Sequence, residues 1–446
     1  MARLKERKVL LNLNAERNYI KFIILAAFIS FLFFLYNIYG TMPIIALGML
    51  VLVLPILFCK GENVFLIYVF LSPFVGMIKF QGDTSAILSY CIFCFNIIYL
   101  IRRRYKFMPA ILMLHILCVF LSAVINSDLS LFLKIIRFAL FIEFIYCFYS
   151  ENKNNTVYLW YLIKAYIAGV LLNGIYGIIF LNFNGYNLVL HVLSGIKQDR
   201  NGFSVLCAIA ICFALMDFLY NKSIINYFII AMLSIMGILT KSRTFLIVLV
   251  LSIALYIVSL LFSKKRMTAL KFLVVFFVFA FFFWSRLQLV LQPVMERYYA
   301  EDVVTGNGRT VVWTLYLTKV FSSPSTALLG CGSTVKYLGT IANQVEHNTY
   351  VEAIFNIGII GTVTLIGVLI SLFKSIVMCF EVKKINVCTF IPIIIIAIAF
   401  LSLSVLYSLD INMPIVLSFI VISLFSRESR NDNIYSMVDT HNCPVC

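Results

Sequence analysis

Two basic residues lie in a very short turn between two long apolar segments. The turn reads Thr240-Lys241-Ser242-Arg243-Thr244. Its hydroxyl side chains can cap the helix that begins there, and the free amides of a helix N-terminus favour an anion. Capping does not explain two cations at this position, because the helix dipole repels positive charge. A bound phosphate group would reconcile both features, whereas a solvated turn is the alternative.

Arg309 ends a Gly-Asn-Gly-Arg motif and precedes Trp313 by four residues. The glycines allow close backbone approach, and a guanidinium group can bind phosphate through two parallel hydrogen bonds. His347 and Asn348 lie where a long polar segment meets the next apolar one. A histidine at such a boundary can accept a proton from a hydroxyl group or orient it. The alternatives are an ordinary glycine turn and a structural histidine.

Several charged residues lie within apolar segments, where charge is costly and therefore marks a candidate for function. Arg137 shares a helix face with Lys134. It either reaches the outer interface by snorkelling or lines a cavity for an anionic ligand. We interpret Glu143 and Asp217 as interfacial. The chain has no Walker loop, dinucleotide fingerprint or HExxH motif, which argues against an ATP-driven machine.

Membrane helices must position these residues. Of the 446 residues, 63% are hydrophobic and 12% are charged, whereas soluble domains have roughly 25% charged residues. The apolar segments are continuous and reach the roughly 20 residues that a helix needs to cross a bilayer. We predict an all-α polytopic membrane protein with about 12–14 transmembrane helices. The predicted spans are 20–39, 43–58, 63–79, 86–101, 107–125, 131–149, 157–182, 201–220, 224–240, 244–262, 268–286, 349–373, 387–408 and 411–425.

The net charge of +16 is carried mainly by short connectors, as the positive-inside rule requires, so no nucleic-acid partner is expected. Strict alternation of the spans places both termini in the cytoplasm, with the basic clusters at 102–104, 264–266 and 383–384. It places the segment 287–348 outside. Long loops in compact proteins are usually functional, and we expect one or two amphipathic helices in this one, joined by glycine-rich turns.

The chain therefore divides into N-terminal helices (1–182), a core with the long outer loop (183–373), C-terminal helices (374–426) and a cytoplasmic tail (427–446). Cys443 and Cys446 in the tail have a spacing found in metal sites. A single pair at a chain end is more often accidental, so no metal site is predicted.

Four motifs occur in order between residues 199 and 367: DRNGFSVLCAIA, LTKSRTFLIVLVLSIAL, GRTVVWTLYLTKVFSSPSTALLGCG and HNTYVEAIFNIGIIGTVTLIG. In order and spacing they resemble the O-antigen ligase and polysaccharide polymerase family. The resemblance implies a membrane-type glycosyltransferase that takes a glycan from a polyprenyl diphosphate carrier at the outer face of the bacterial plasma membrane. By motif position, Arg243 and Arg309 are expected to hold the diphosphate. His347 is expected to activate or position the acceptor hydroxyl.

The arginines would stabilise the charge of the leaving diphosphate without a metal, so no cofactor is expected. The expected partners are the polyprenyl-diphosphate-linked oligosaccharide and membrane lipid, and the sequence leaves open whether a chain-length regulator binds. The residues assigned to substrate binding are Arg200, Asn201, Lys241, Trp313, Asn348 and Arg137.

Two other activities compete with polymerisation of lipid-linked repeat units. A ligase would transfer the glycan to a lipid A core sugar. The bias towards Phe, Ile, Lys and Asn suggests a genome of low GC content, and many such organisms lack lipopolysaccharide, which favours a polymerase. A flippase for the same lipid-linked oligosaccharide should show internal repeats with paired broken helices, and the sequence shows no two-fold self-similarity. A structural scaffold would not explain why cations converge on one face.

Overall fold

The computed structural model describes the larger part of the chain, and within it every regular element is a helix. The described residues are 2–77, 87–103, 108–185, 193, 200–221, 223, 225–261, 274, 281, 288, 292, 309–337, 340, 347–377, 387–403, 407 and 412–426. The predicted span 268–286 and most of the segments 186–199 and 287–308 lie outside these residues.

The α-helices are α1 (Ala2–Tyr39), α2 (Met42–Phe58), α3 (Gly61–Leu71), α4 (Ile87–Arg103), α5 (Ala110–Ile125), α6 (Leu129–Asn152), α7 (Thr156–Phe183), α8 (Arg200–Asn221), α9 (Ile225–Leu239), α10 (Arg243–Leu261), α11 (Arg309–Val320), α12 (Pro324–Leu329), α13 (Thr349–Val377), α14 (Ile391–Ala399) and α15 (Asn412–Ser426). Short 3₁₀ helices span Ser72–Met77, Thr334–Tyr337 and Val387–Phe390.

Most predicted spans in the described part match these helices to within a few residues. The prediction of one span over 387–408 was wrong, because α14 ends at Ala399. The backbone carbonyl of Phe400 accepts a hydrogen bond from Thr349 N at 2.8 Å, and that of Leu403 accepts one from Thr349 Oγ1 at 2.7 Å. These carbonyls bind α13 instead of extending α14.

Four described helices are long and apolar enough to cross a membrane. These segments are Glu16–Tyr39 in α1, Thr156–Phe183 in α7, Arg200–Leu219 in α8 and Thr349–Val377 in α13. The other apolar helices are shorter. Large apolar side chains remain exposed on the outside of the bundle, including Phe58 at 80% and Val363 at 61%. Exposed apolar surface of this kind is typical of contact with lipid.

The connectors of the described part gather at two ends of the bundle. At one end, Arg103 pairs with Glu151 at 3.2 Å and Tyr158 donates a hydrogen bond to the carbonyl of Glu62 at 2.5 Å. These contacts join the ends of α4 and α6 and the starts of α3 and α7, and we call this the basic end.

At the opposite end of α6, Ser333 N donates to the Asp128 carboxylate at 2.7 Å. This contact joins the connector between α5 and α6 to the segment that follows α12. We call this the loop end, because it carries α11 and α12.

Glu143 and Asp217 are each 3% exposed, because neighbouring helices pack over both side chains. Their position near the membrane interface stays a prediction. Asp217 of α8 accepts a hydrogen bond from Asn226 of α9 at 2.8 Å and lies 3.9 Å from the ammonium of Lys164 of α7. Packing of neighbouring helices encloses both carboxylates, and a single apolar segment read in isolation does not reveal which of its faces is enclosed.

Candidate functional site

The turn between α9 and α10 is a capped helix start, as predicted. Ser242 Oγ accepts from Phe245 N at 3.4 Å, and Thr240 Oγ1 accepts from Ser242 N at 3.3 Å. Both hydroxyl side chains are buried, and Lys241 between them has a positive φ of 52°. Arg243 is the first residue of α10, and both Lys241 and Arg243 are half-buried.

The start of α8 is attached to this turn. Ser242 Oγ donates to Asn201 Oδ1 at 3.1 Å. Arg200 and Asn201 are the first two residues of α8 and are half-buried. The structure therefore brings four of the predicted residues, Arg200, Asn201, Lys241 and Arg243, into one group.

A second group is built on α11, whose buried face packs against the first turns of α13. The Tyr316 and Phe355 rings meet edge to face with centroids 4.9 Å apart, and neither side chain is exposed. Val312 and Val351 belong to the same apolar cluster, and Trp313 packs against it. Arg309 is the first residue of α11, and Trp313 lies one turn further on. His347 and Asn348 directly precede α13. The apolar cluster therefore holds α11, with Arg309 and Trp313, against α13.

The helix α13 is broken at Gly358, which has φ 66° and ψ −175°. The segment after α12 fits into this break. Cys331 N donates to the carbonyl of Phe355 at 2.7 Å, and Ser122 Oγ donates to that of Asn356 at 2.9 Å. A break releases helical carbonyls that must find other partners, and the segment after α12 and the helix α5 supply them here.

Two glycines permit this close approach. A Cβ atom on Gly330 would lie 2.6 Å from the backbone of Asn356, and one on Gly358 would lie 2.3 Å from the carbonyl oxygen of Leu328. Both glycines have positive φ. The predicted loop helices are present as α11 and α12, but the turn between them, 321–323, contains no glycine. The glycine-rich turn at 330–332 instead joins α12 to the 3₁₀ helix Thr334–Tyr337.

The connector between α5 and α6 also holds the loop. Asp128 caps α6 by accepting from Leu131 N at 3.1 Å through Oδ1, while Oδ2 accepts from Ser333 N. Asn126 Nδ2 donates to the carbonyl of Gly330 at 3.3 Å. Asn126 and Asp128 were not predicted as site residues, because an Asn-Ser-Asp turn is typical of any short connector.

His347 and Asn348 adopt a specific geometry at the start of α13. Asn348 is buried and caps the helix, since its Oδ1 accepts from Tyr350 N at 3.0 Å and from Val351 N at 3.2 Å. His347 directly precedes this cap, is half-buried and has a positive φ of 45°. A non-glycine residue in the left-handed region is uncommon and often marks a functional position.

One helix packs against elements that carry both groups. The helix α14 packs against α8 and α10, which begin with Arg200 and Arg243. At its end, the Phe400 carbonyl binds the first amide of α13, next to Asn348. The helices that carry the two groups therefore share a packing partner.

Arg137 has a different environment. Its guanidinium lies over the Tyr90 ring of α4, 5.1 Å from the centroid, and its Nε donates to the carbonyl of Leu133. It lies nine residues into α6 from Asp128, or about 13 Å along the helix. These contacts fit the structural interpretation of Arg137 better than a role in binding ligand beside the other predicted residues.

A buried polar network at His115 was also missed. The His115 side chain is fully buried in α5, with Nδ1 2.9 Å from Thr364 Oγ1 and Nε2 3.0 Å from the Tyr407 hydroxyl. The sequence does contain a signal for this network, since a histidine within an apolar segment marks a candidate functional residue.

The loop end can bind an anion and accept a proton. It presents half-buried cations at Lys241, Arg243 and Arg309 and an imidazole at His347. Guanidinium groups form strong charge-assisted hydrogen bonds to phosphate oxygens. Burial raises the pKa of the Cys331 thiol, so this side chain remains protonated near neutral pH and is a poor candidate for the base.

Long apolar helices and an exposed apolar surface define an all-helical membrane protein. Its candidate site lies where the α11–α12 loop docks onto the broken helix α13. No family model, curated protein or solved structure matches the chain.

Proposed function

We propose that this protein belongs to the O-antigen ligase and polysaccharide polymerase family and joins lipid-linked repeat units of an O-antigen, capsule or exopolysaccharide. It would act as a metal-independent glycosyltransferase in the bacterial plasma membrane, with both termini in the cytoplasm and the loop end facing outward. About 12–14 helices would cross the bilayer.

The docking of α11 onto α13 carries this proposal. It packs the helix that starts at Arg309 against the helix that follows His347, through the contact of Tyr316 with Phe355. A cationic group and a proton acceptor separated by a long stretch of sequence thus become parts of one packed unit. An oligosaccharide diphosphate needs both functions, since its leaving group is anionic and its acceptor is a hydroxyl.

The basic residues at one end of the bundle support the proposed orientation. Arg102 and Arg103 lie at the basic end with the 3.2 Å pair to Glu151, as the positive-inside rule requires of a cytoplasmic end. The loop end is then extracytoplasmic, where a lipid-linked glycan is available after translocation.

In the proposed reaction, an acceptor hydroxyl attacks the anomeric carbon of the donor glycan. The bond from this carbon to the diphosphate oxygen breaks, and the lipid diphosphate leaves with the electron pair. Arg243 and Arg309 stabilise the developing negative charge. His347 takes the proton of the hydroxyl, and Asn348, the cap of α13, holds the backbone that presents it.

The decisive experiment is an assay of purified protein, reconstituted in lipid, with lipid-linked repeat units as both donor and acceptor. We expect a ladder of products in the presence and absence of EDTA. Loss of turnover in EDTA, with recovery on adding magnesium or manganese, would contradict the metal-independent mechanism.

The same assay separates the competing activities. Transfer to lipid A core but not to a second repeat unit would identify a ligase. Movement of the lipid-linked unit across the bilayer without formation of a glycosidic bond would identify a flippase and would contradict the proposal.

A further inference from the structure

A cavity of about 420 Å³ lies at the basic end, away from the candidate site. This volume falls within the range of roughly 300–1,000 Å³ that is usual for small-molecule sites. The α2–α3 connector, the start of α3 and the last two turns of α4 form its walls. Its lining residues are Ile56, Cys59, Lys60, Gly61, Glu62, Phe95, Ile98, Tyr99, Arg102 and Arg103.

The rim of the cavity is cationic and its floor is apolar. Lys60, Arg102 and Arg103 contribute three cations, against one carboxylate from Glu62. Phe95 is buried at 3% exposure and forms part of the apolar floor. A ligand that fits must therefore combine negative charge with an apolar portion.

Internal contacts fix two of the cations in place. Arg102 donates through Nη1 to the Ile56 carbonyl at 3.3 Å and through Nη2 to the Leu57 carbonyl at 3.1 Å. Arg103 pairs with Glu151, and its guanidinium lies 5.6 Å from the Tyr99 ring centroid. Glu151 thus neutralises Arg103. Among the described residues, Arg102 binds two uncharged carbonyls and has no carboxylate partner, so its positive charge remains for a ligand.

Lys60 supplies the second available charge. Its side chain is exposed, and among the described residues its ammonium has no ion-pair partner. Lys60 and Arg102 face the same cavity from different elements. Two cations that line one cavity can bind the same phosphate group, and Glu62 can accept from a hydroxyl or ammonium carried by the same ligand.

The surface beside the cavity indicates the source of the phosphate. Phe58 is 80% exposed, Ile101 is 69% exposed and Leu57 is 48% exposed. Each adjoins a cavity residue in the chain, so apolar surface suited to acyl chains borders the cationic rim. Basic pockets between membrane helices at this boundary are suited to lipid headgroups.

We propose that this cavity binds the phosphate group of an anionic membrane lipid, held by Lys60 and Arg102. This site is independent of the proposed glycan transfer. Its occupancy ties the α2–α3 connector to the end of α4, and a bound ligand stabilises the folded state that binds it.

The test is thermal unfolding of the purified full chain in detergent, titrated with short-chain phosphatidylglycerol. We expect the lipid to raise the Tm and short-chain phosphatidylcholine to leave it unchanged. Lys60→Gln should raise the concentration for half-maximal shift about fivefold, since one basic residue contributes about 1 kcal/mol to anionic lipid binding. The matched control is Lys21→Gln, because Lys21 is exposed on α1 and does not line the cavity.

Each outcome decides the assignment. A phosphatidylglycerol response that weakens in Lys60→Gln but not in Lys21→Gln supports a lipid site. The same pattern with inorganic phosphate would support the phosphate site and assign it to a soluble phosphate compound. Equal responses of the two variants, or no response of the unsubstituted protein to either probe, would overturn the proposal.

Discussion

Arg243 and Arg309 carry the proposed contact with the diphosphate. Replacement of either by lysine keeps the charge but removes the planar, two-pronged donor, so we expect product ladders to decrease at least about a hundredfold. The measurement is ladder formation at matched protein abundance. Lys319→Ala is the control, because Lys319 is an exposed cation on the same helix as Arg309. Full activity of Arg309→Lys would reduce that residue to a general electrostatic role.

At His347, the role of the imidazole can be tested separately from the role of the backbone conformation. Its φ is 45°, a region that asparagine tolerates better than most residues. His347→Asn should therefore preserve the cap at Asn348 and the Tm but lower turnover roughly a hundredfold or more, since the proton acceptor is lost. Binding of the lipid diphosphate donor should remain, because the arginines provide it. Turnover at the normal rate would show that the imidazole is not needed and would make His347 a packing residue.

Single residues differed in how well the sequence predicted them. The cap at Ser242 followed from local chemistry and is confirmed. Arg137 lies against Tyr90, and His115 bridges α5 to Thr364 and Tyr407. These partners come from distant parts of the chain. Because local sequence does not specify such contacts, neither environment could be derived from it.

The break in α13 shows the same limit at the scale of an element. Hydropathy predicted an uninterrupted span over 349–373, and a glycine in an apolar helix is commonly tolerated. The break becomes favourable because Cys331 N and Ser122 Oγ bind the carbonyls of Phe355 and Asn356. These donors lie on the segment after α12 and on α5, so only the tertiary fold reveals that Gly358 interrupts the helix.

Two glycines with the same φ test this docking. Gly40 and Gly358 both have φ 66°, but a Cβ on Gly40 would meet nothing within 4 Å, whereas one on Gly358 would lie 2.3 Å from Leu328 O. Gly40→Ala should cost the strain of a positive φ, about 1–2 kcal/mol. Gly358→Ala should cost more, because its ψ of −175° places it in a region essentially restricted to glycine and because overpacking adds about 1–3 kcal/mol. It should also reduce glycan transfer, because α12 must move.

The readouts are the Tm in detergent and product formation for both variants. Equal losses of stability would show that the contact of the loop with α13 contributes little. Normal transfer by a folded Gly358→Ala protein would show that the exact docking of the loop is not required for activity.

At the scale of the whole molecule, composition and hydropathy predicted the helical class and most helix boundaries, since each depends on local sequence and length. The packing order of the helices did not follow from the same information. The helix α8 is almost fully buried and is surrounded by α7, α9, α10 and α14. This arrangement depends on how well pairs of apolar helix faces fit together, and such faces look alike in sequence.

The orientation in the membrane can be tested with one cysteine at each end. Ser322 is exposed at the loop end, between α11 and α12, and Asn154 is exposed in the turn between α6 and α7. This turn follows Glu151, whose pair with Arg103 defines the basic end. In intact cells, a membrane-impermeant maleimide should label Ser322→Cys, and it should label Asn154→Cys only after permeabilisation.

The unsubstituted protein is the control for its twelve native cysteines. The reverse labelling pattern would place Arg243, Arg309 and His347 on the cytoplasmic side. Glycans that have already been translocated could not reach a site there, so the proposed polymerase activity would have to be abandoned even if each of these residues proved essential.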